Sequence, residues 1–325
     1  MKGTQAIQNA AINKKVIEEN PKAFYATSSG SSLAVSVLRN LGVFLEIIKF
    51  RITSLVTFTT GLGYILAADK ISFGLFYPIT GIFLLACAAS ALNHYQERET
   101  DSLMKRTVRR PIPSGRVKPG TVLVISGVIF FAGAAELLLA TNIITLGIGL
   151  TAFLWYNGVY TPLKKKTAWA IIPGSLVGAL PPIAGWTAAG GSLGDPRIYI
   201  IALYFFVWQI PHFWLLLMLY ADDYRSGGFP TLNEIFTTAQ LKRITFSWLV
   251  ATVMIAMSIP MFGLIHFGFS TILLFLISAW MAYNCVVFLA SNAEKKQIVG
   301  SFLKINFYTL LLITVLSLDK FLNMI

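Results

Sequence analysis

The sequence predicts an all-α polytopic membrane protein with nine transmembrane helices, and three observations carry that prediction. The 325 residues are 56% hydrophobic and only 12% charged, roughly half the charge of a soluble domain, with a mean hydropathy of +0.70. Apolar runs of about 20 residues, long enough to cross a hydrocarbon core, recur along the whole chain. The basic residues also fall unevenly on alternate loops, as they do when one side faces the cytoplasm.

The nine spans are expected at about 45–68, 73–96, 120–140, 143–161, 168–190, 198–220, 244–264, 268–290 and 302–321. Residues 1–42 are polar and lack the apolar core of a signal peptide, while Glu18, Glu19 and a single Arg39 argue against a transit peptide. They are expected to form a mobile cytoplasmic extension ending in a short amphipathic piece, ahead of a membrane domain over 43–325. The first span has Glu46, Lys49 and Arg51 in its entry turn, a cost that snorkelling or a wet cavity must offset. Of the 26 Lys and Arg, 23 fall in the N-terminal segment through Arg51 or in the even-to-odd loops. This puts the N-terminus in the cytoplasm. The net charge of +12 then reflects loops facing anionic headgroups of the lipid bilayer, and no nucleic acid is implied. Cys87 and Cys285 lie inside apolar runs and read as packing residues.

Chemistry concentrates where the second run ends, in LNHYQERETDSLMKRTVRRPIPSGRVK, Leu92 to Lys118. Asn93, Glu97 and Asp101 are spaced i, i+4, i+8, so they drift only about 80° around a helix and share a face. Acidic residues are common at any solvated helix end. Here they stand among Lys105, Arg106, Arg109, Arg110 and Arg116, and oxygen donors backed by guanidinium groups suit Mg²⁺ carrying a phosphorylated ligand. A second acidic cluster, Asp222-Asp223-Tyr224-Arg225, follows the sixth run. It lies four spans after the first, as in a duplicated four-helix unit. Between them, Tyr160 to Gly191 is rich in Gly and Pro and contains Lys164, Lys165 and Lys166, which read either as membrane anchors or as diphosphate ligands. His212 lies inside the sixth run behind Pro211 and beside Trp208. An intramembrane ionisable residue points to function, although a packing role is open to it. His94, at the loop junction, reads as a solvated group.

Four stretches carry a resemblance: FLEIIKFRITSL, NHYQERETDSLMKRTVRRPIPSGRV, YTPLKKKTAWAIIPGSLVGALPPIAGWTAAGG and FFVWQIPHFWLLLMLYADDYRSGGFPTL. In these the chain, from about Phe44 to its end, resembles the UbiA superfamily of intramembrane prenyltransferases. PPIAGW and WQIPHFW point to its heme-modifying branch. The resemblance implies a nine-helix bundle around a cavity open to the cytoplasmic side. It maps the family's NxxxDxxxD motif onto Asn93, Glu97 and Asp101 as catalytic metal ligands, with Glu97 where Asp is usual. Arg106 and Arg110 join them as catalytic residues neutralising the departing diphosphate. Lys49, Arg51, Arg109, Arg116, Tyr160, Lys164, Lys165, Trp208, His212, Asp222, Asp223 and Tyr224 are the implied substrate-binding residues. The family's Lys-Pro-Arg reads Lys49-Phe50-Arg51, and Asp222 and Asp223 are not followed by a full DxxxD pattern. The implied reaction moves a farnesyl group from farnesyl diphosphate to the 2-vinyl group of heme B with addition of water, giving heme O. Mg²⁺ is the cofactor, and heme B a substrate rather than a permanent cofactor. The implied site is the bacterial inner membrane, or the mitochondrial one in a eukaryote. A downstream heme A synthase or the terminal oxidase assembly would receive the product. A quinone-precursor prenyltransferase and an anion transporter are the competing readings. PHFW and the incomplete second acidic motif weigh against the first. The position of the carboxylates at a loop junction rather than the bilayer midplane weighs against the second.

Overall fold

The computed structural model describes residues 33–325, with side chains from residue 40 onward. Of the extension expected over residues 1–42, residues 1–32 lie outside the described residues. The chain divides after Leu45 into two units, and the second, Glu46–Ile325, contains the membrane-crossing helices and the candidate site described below.

Among the described residues the structure is helical throughout, and nine helices are long and apolar enough to cross a membrane. They are Phe50–Ala67, Phe73–Gln96, Pro119–Ala140, Ile143–Leu163, Ala168–Ala188, Pro196–Ser226, Thr238–Phe262, Gly268–Ala290 and Lys295–Met324, numbered one to nine here. Short polar residues start several of them by occupying amides that a first helical turn leaves free. The Asn142 side chain accepts from Thr145 N at 2.8 Å before span four, and Asp195 accepts from Arg197 N before span six. Thr237 and Gln240 form a reciprocal capping box before span seven. Pro119 takes the first position of span three, where no amide hydrogen is needed. Phe131, Leu139, Met254 and Leu276 are exposed, as residues facing lipid acyl chains should be.

Four boundaries differ by five or more residues from the hydropathy expectation, one of them the start of span seven, at Thr238 rather than 244. The chain enters span one through a separate helix, Leu33–Ile47, and turns at Lys49, which adopts a left-handed conformation (φ 48°, ψ 49°). An L-residue held there stores strain. The break moves the start of span one from 45 to Phe50. Span six continues to Ser226 and departs from helical dihedrals at Tyr220 (φ −122°, ψ 21°), not at Pro211. Span nine begins seven residues early, at Lys295. Both extensions are polar helix, which hydropathy cannot register as span.

Span one packs against spans two, five and nine, while spans two to five and six to nine each form a run of neighbouring helices. Spans one and five cross at backbone contact. A Cβ on Gly63 would collide with the Pro182 carbonyl, and one on Gly185 with that of Thr60. This explains the small residues around PPIAGW. A core of Trp186, Tyr204, Leu215, Tyr308 and their neighbours joins spans five to nine. It is tied by Tyr204 Oη to Thr309 Oγ1 and by Ser278 Oγ to Tyr308 Oη, both at 2.8 Å.

Candidate active site

Span two ends at Gln96, Glu97 is non-helical (φ −105°, ψ 5°), and a short helix Arg98–Leu103 follows. The motif therefore does not ride on one continuous helix. Backbone bonds from Glu97 N to Asn93 O (3.0 Å) and from Asp101 N to Glu97 O (2.7 Å) nevertheless keep the i, i+4 stacking. Asn93, Glu97 and Asp101 are 1%, 3% and 0% exposed, so polar partners must come from the protein.

Each partner comes from a different segment. Lys49 Nζ, at the break before span one, donates to Asn93 Oδ1 at 2.7 Å. Asn93 Nδ2 in turn donates to Thr161 Oγ1 at 3.2 Å. Lys164, beyond span four, forms an ion pair with Glu97. Arg110 Nη1 reaches both Asp101 oxygens at 2.8 and 2.7 Å, and Thr107 Oγ1 donates to the Asp101 carbonyl. Lys165 Nζ donates to Gln96 O at 3.2 Å on the rim.

Asp223 completes the cluster from span six. Arg106 Nε is 3.9 Å from its Oδ2 and packs over the rings of Tyr220 and Tyr224. Both Asp223 carboxylate oxygens are buried with no hydrogen-bond partner among the described residues. Ser226 Oγ donates to Leu103 O at 3.3 Å and closes the second acidic segment onto the first.

The electrostatics follow from this crowding. Burial alone would raise the Glu97 carboxyl, but Lys164 and Lys49 outweigh it and hold it below the usual carboxylate range. Burial, reinforced by Arg110, lowers the Lys49 ammonium to about 7.

Beside Lys164 a cleft is lined by Tyr160, Thr167, Ala168, Ile171, Phe213, Leu216, Leu217, Tyr224, Phe229 and Pro230. Lys164 lies over the Tyr160 and Phe229 rings at 5.7 and 5.3 Å. The cleft thus combines one cation with mostly apolar or aromatic walls.

Several expected residues stand apart from this cluster. The Asp222 side chain is 99% exposed and pairs with Arg225 as an ordinary helix-end charge. Arg51 and Arg109 are exposed, and Arg116 pairs with Glu46. Trp208 and His212 lie on the edge of span six that faces span nine, where His212 Nδ1 meets Asn306 Oδ1 at 2.9 Å. His94 is a correction. It is 2% exposed, with neither ring nitrogen hydrogen-bonded among the described residues, and the Glu46–Lys49 turn lies against this part of span two, where Ser90 Oγ donates to Ile47 O. The sequence reading missed Thr161, Thr107, Phe229 and Asn306. Of these only Asn306 carried a signal, as an amide inside an apolar run.

A family model described as the UbiA prenyltransferase family matches residues 54–308. The chain belongs to that family. Curated relatives include the protoheme IX farnesyltransferase of Geobacter sulfurreducens, 39% identical over 62% of this chain and 74% of the relative. That of Synechococcus sp. is 30% identical over 88% and 86%. Among solved structures, a UbiA homolog from Archaeoglobus fulgidus bound to GPP and Mg²⁺ superposes with a TM-score of 0.60, at 13% identity over 85% of this chain and 99% of that one. A digeranylgeranylglyceryl phosphate synthase reaches 0.71 at 14% identity over 87% and 99%. At such identities these two establish a shared fold.

Proposed function

We infer that the protein transfers the farnesyl group of farnesyl diphosphate to the 2-vinyl group of heme B, with addition of water, giving heme O and diphosphate. Family membership and relatives named protoheme IX farnesyltransferase support the reaction. One observation carries the site. Asn93, Glu97, Asp101 and Asp223 are met by Lys49, Lys164, Arg110 and Arg106 respectively at the end of the bundle. The positive-inside count puts that end in the cytoplasm.

The donor set fits Mg²⁺. It is all oxygen, and the two Asp223 oxygens are buried without partners, an arrangement costly unless a ligand uses them. Asn93, Glu97, Asp101 and Asp223 would share the ion with substrate phosphate oxygens rather than cage it, since among the described residues no three acidic side chains are grouped closely enough to hold a metal alone. When bound, Mg²⁺ supplies charge neutralisation on the leaving diphosphate.

The protein's own groups do the rest. Arg106, Arg110, Lys49 and Lys164 exchange their present carboxylate and amide partners for diphosphate oxygens, so that charge developing as the C1–O bond breaks is met by cations already in place. The farnesyl chain follows the cleft wall of Ile171, Phe213, Leu216 and Leu217. The rings of Tyr160 and Tyr224 offer π faces to the allylic cation, and the apolar walls exclude water. The terminal carbon of the vinyl group bonds to C1. Water then adds to the carbon next to the macrocycle and releases a proton.

Incubation of the purified protein with farnesyl diphosphate, heme B and Mg²⁺, followed by mass spectrometry, tests this reading. Heme B gaining one farnesyl and one hydroxyl is the expected product. Prenylation of a quinone precursor with heme left unmodified would overturn it. By chemistry alone the product would pass to a heme-oxidising enzyme or an oxidase assembly in the same membrane.

A further inference from the structure

We propose that Asn306 is a positioning residue that fixes the tautomer of His212, so that His212 Nε2 presents its lone pair to the iron of heme B. The proposal rests on the heme reading above. The orientation of the Asn306 amide is set by chemistry, because its Nδ2 donates to Phe302 O at 2.6 Å, a carbonyl that accepts only from a donor. Its Oδ1 is therefore the atom facing His212 Nδ1 at 2.9 Å. An amide oxygen accepts only, so Nδ1 carries the ring proton and Nε2 is left basic.

The ring plane is fixed as well. Trp208 and Phe302 flank the imidazole with centroids 4.8 Å away at interplanar angles of 39° and 41°, and Phe213 meets it edge-on at 5.4 Å. With three aromatic rings packed against the imidazole and Nδ1 engaged, the Nε2 edge makes no hydrogen bond among the described residues, and the residue is only partly buried. This is the outer-shell pattern that orients a histidine ligand and raises its basicity. The position suits a substrate bridging to the diphosphate site. Eleven residues separate His212 from Asp223, a rise on the order of 16 Å along span six, with the break at Tyr220 between them. A merely structural Asn306 would instead cross-link spans six and nine.

Titration of ferric heme into the purified protein, followed by its Soret band, separates these roles, with the iron–histidine stretch of the ferrous form as a second readout. His212→Gly should lose the histidine-ligated spectrum and regain it with added imidazole. Asn306→Leu should weaken heme binding by roughly tenfold or more. Asn306→Asp, which keeps the side-chain size and strengthens the acceptor, should retain binding and raise the iron–histidine frequency. If His212→Gly binds heme with an unchanged spectrum, the iron ligand is elsewhere, and the proposal falls with that part of the heme reading. If His212→Gly loses the spectrum while both Asn306 variants match wild type in affinity and frequency, the role of Asn306 alone is overturned. Should Asn306→Leu fail to fold, Asn306→Asp decides by itself, and an unshifted frequency refutes the proposal.

Discussion

Asp223→Asn is expected to make the substrate-free protein more stable and the enzyme worse. Both Asp223 oxygens are buried without a hydrogen bond, and the nearest cation, Arg106 Nε, is 3.9 Å away on a side chain that is 41% exposed. Such a pair recovers little of the cost of burying a carboxylate. An unsatisfied buried polar group costs about 1–3 kcal/mol. Removing the charge should therefore raise the apparent Tm by roughly 2–12 °C, taking about 2–4 °C per kcal/mol for a large domain. Losing a charged contact to the bound substrate should cost about 1.5–3 kcal/mol in the transition state, or roughly 10- to 150-fold in turnover. Thermal scans in detergent and heme O formation by liquid chromatography measure the two effects. Asp222→Asn is the internal control, because that side chain is almost fully exposed and should change neither quantity. A lowered Tm for Asp223→Asn, or wild-type turnover, would refute the argument.

The other predictions concern the paired cations. Asp101→Asn and Arg110→Ala should be non-additive in stability by about 0.5–3 kcal/mol, since each removes the other's buried partner; strict additivity in a double-mutant cycle would dissolve the pair. Excess EDTA should stop heme O formation, whereas Glu97→Asp, which keeps a carboxylate one methylene shorter, should retain most activity with Mg²⁺ restored. Lys49 gives a pH dependence. Its folded ammonium titrates near 7 against about 10.4 in the unfolded chain, so between these values only the unfolded state holds the proton and stability rises with pH. That stability is fully present above the upper value and is lost as pH falls through 7. Melting of the substrate-free protein between pH 6.5 and 9.5 should show the rise, and Lys49→Met should flatten it.

The sequence revealed spans two to five and span eight almost to the residue, because hydropathy changes sharply where those helices meet water. It could not show that spans six and nine run on as polar helices to Ser226 and from Lys295, since hydropathy reports the membrane and not the hydrogen-bond ladder. The carboxylate face was legible from an i, i+4 rhythm, which backbone bonds preserve even across the break at Glu97. The pairings were not legible. Lys49 lies 44 residues from Asn93 and Lys164 approaches Glu97 from beyond span four, so only the packing of spans brings them together. Position at a loop junction suggested a solvated His94. The turn at Lys49 that lies against that part of span two is a backbone event no residue pattern announced.

The roll of charges in the cluster bears on electroneutrality. Lys49, Lys164, Arg106 and Arg110 face the carboxylates of Glu97, Asp101 and Asp223. The assembly therefore carries at most one surplus positive charge, and less when Lys49 sheds its proton near neutrality. A multiply ionised diphosphate overshoots that surplus, and a divalent cation alone would add to it in a low-dielectric site. Neither ion is welcome by itself, yet together they nearly cancel. Ion and ester should consequently enter as a neutral package, with Mn²⁺ affinity, read by electron paramagnetic resonance, rising sharply when inorganic diphosphate is present. A membrane rich in monophosphate headgroups and a cytosol rich in Mg²⁺ would then leave this end of the bundle closed upon its own counterions.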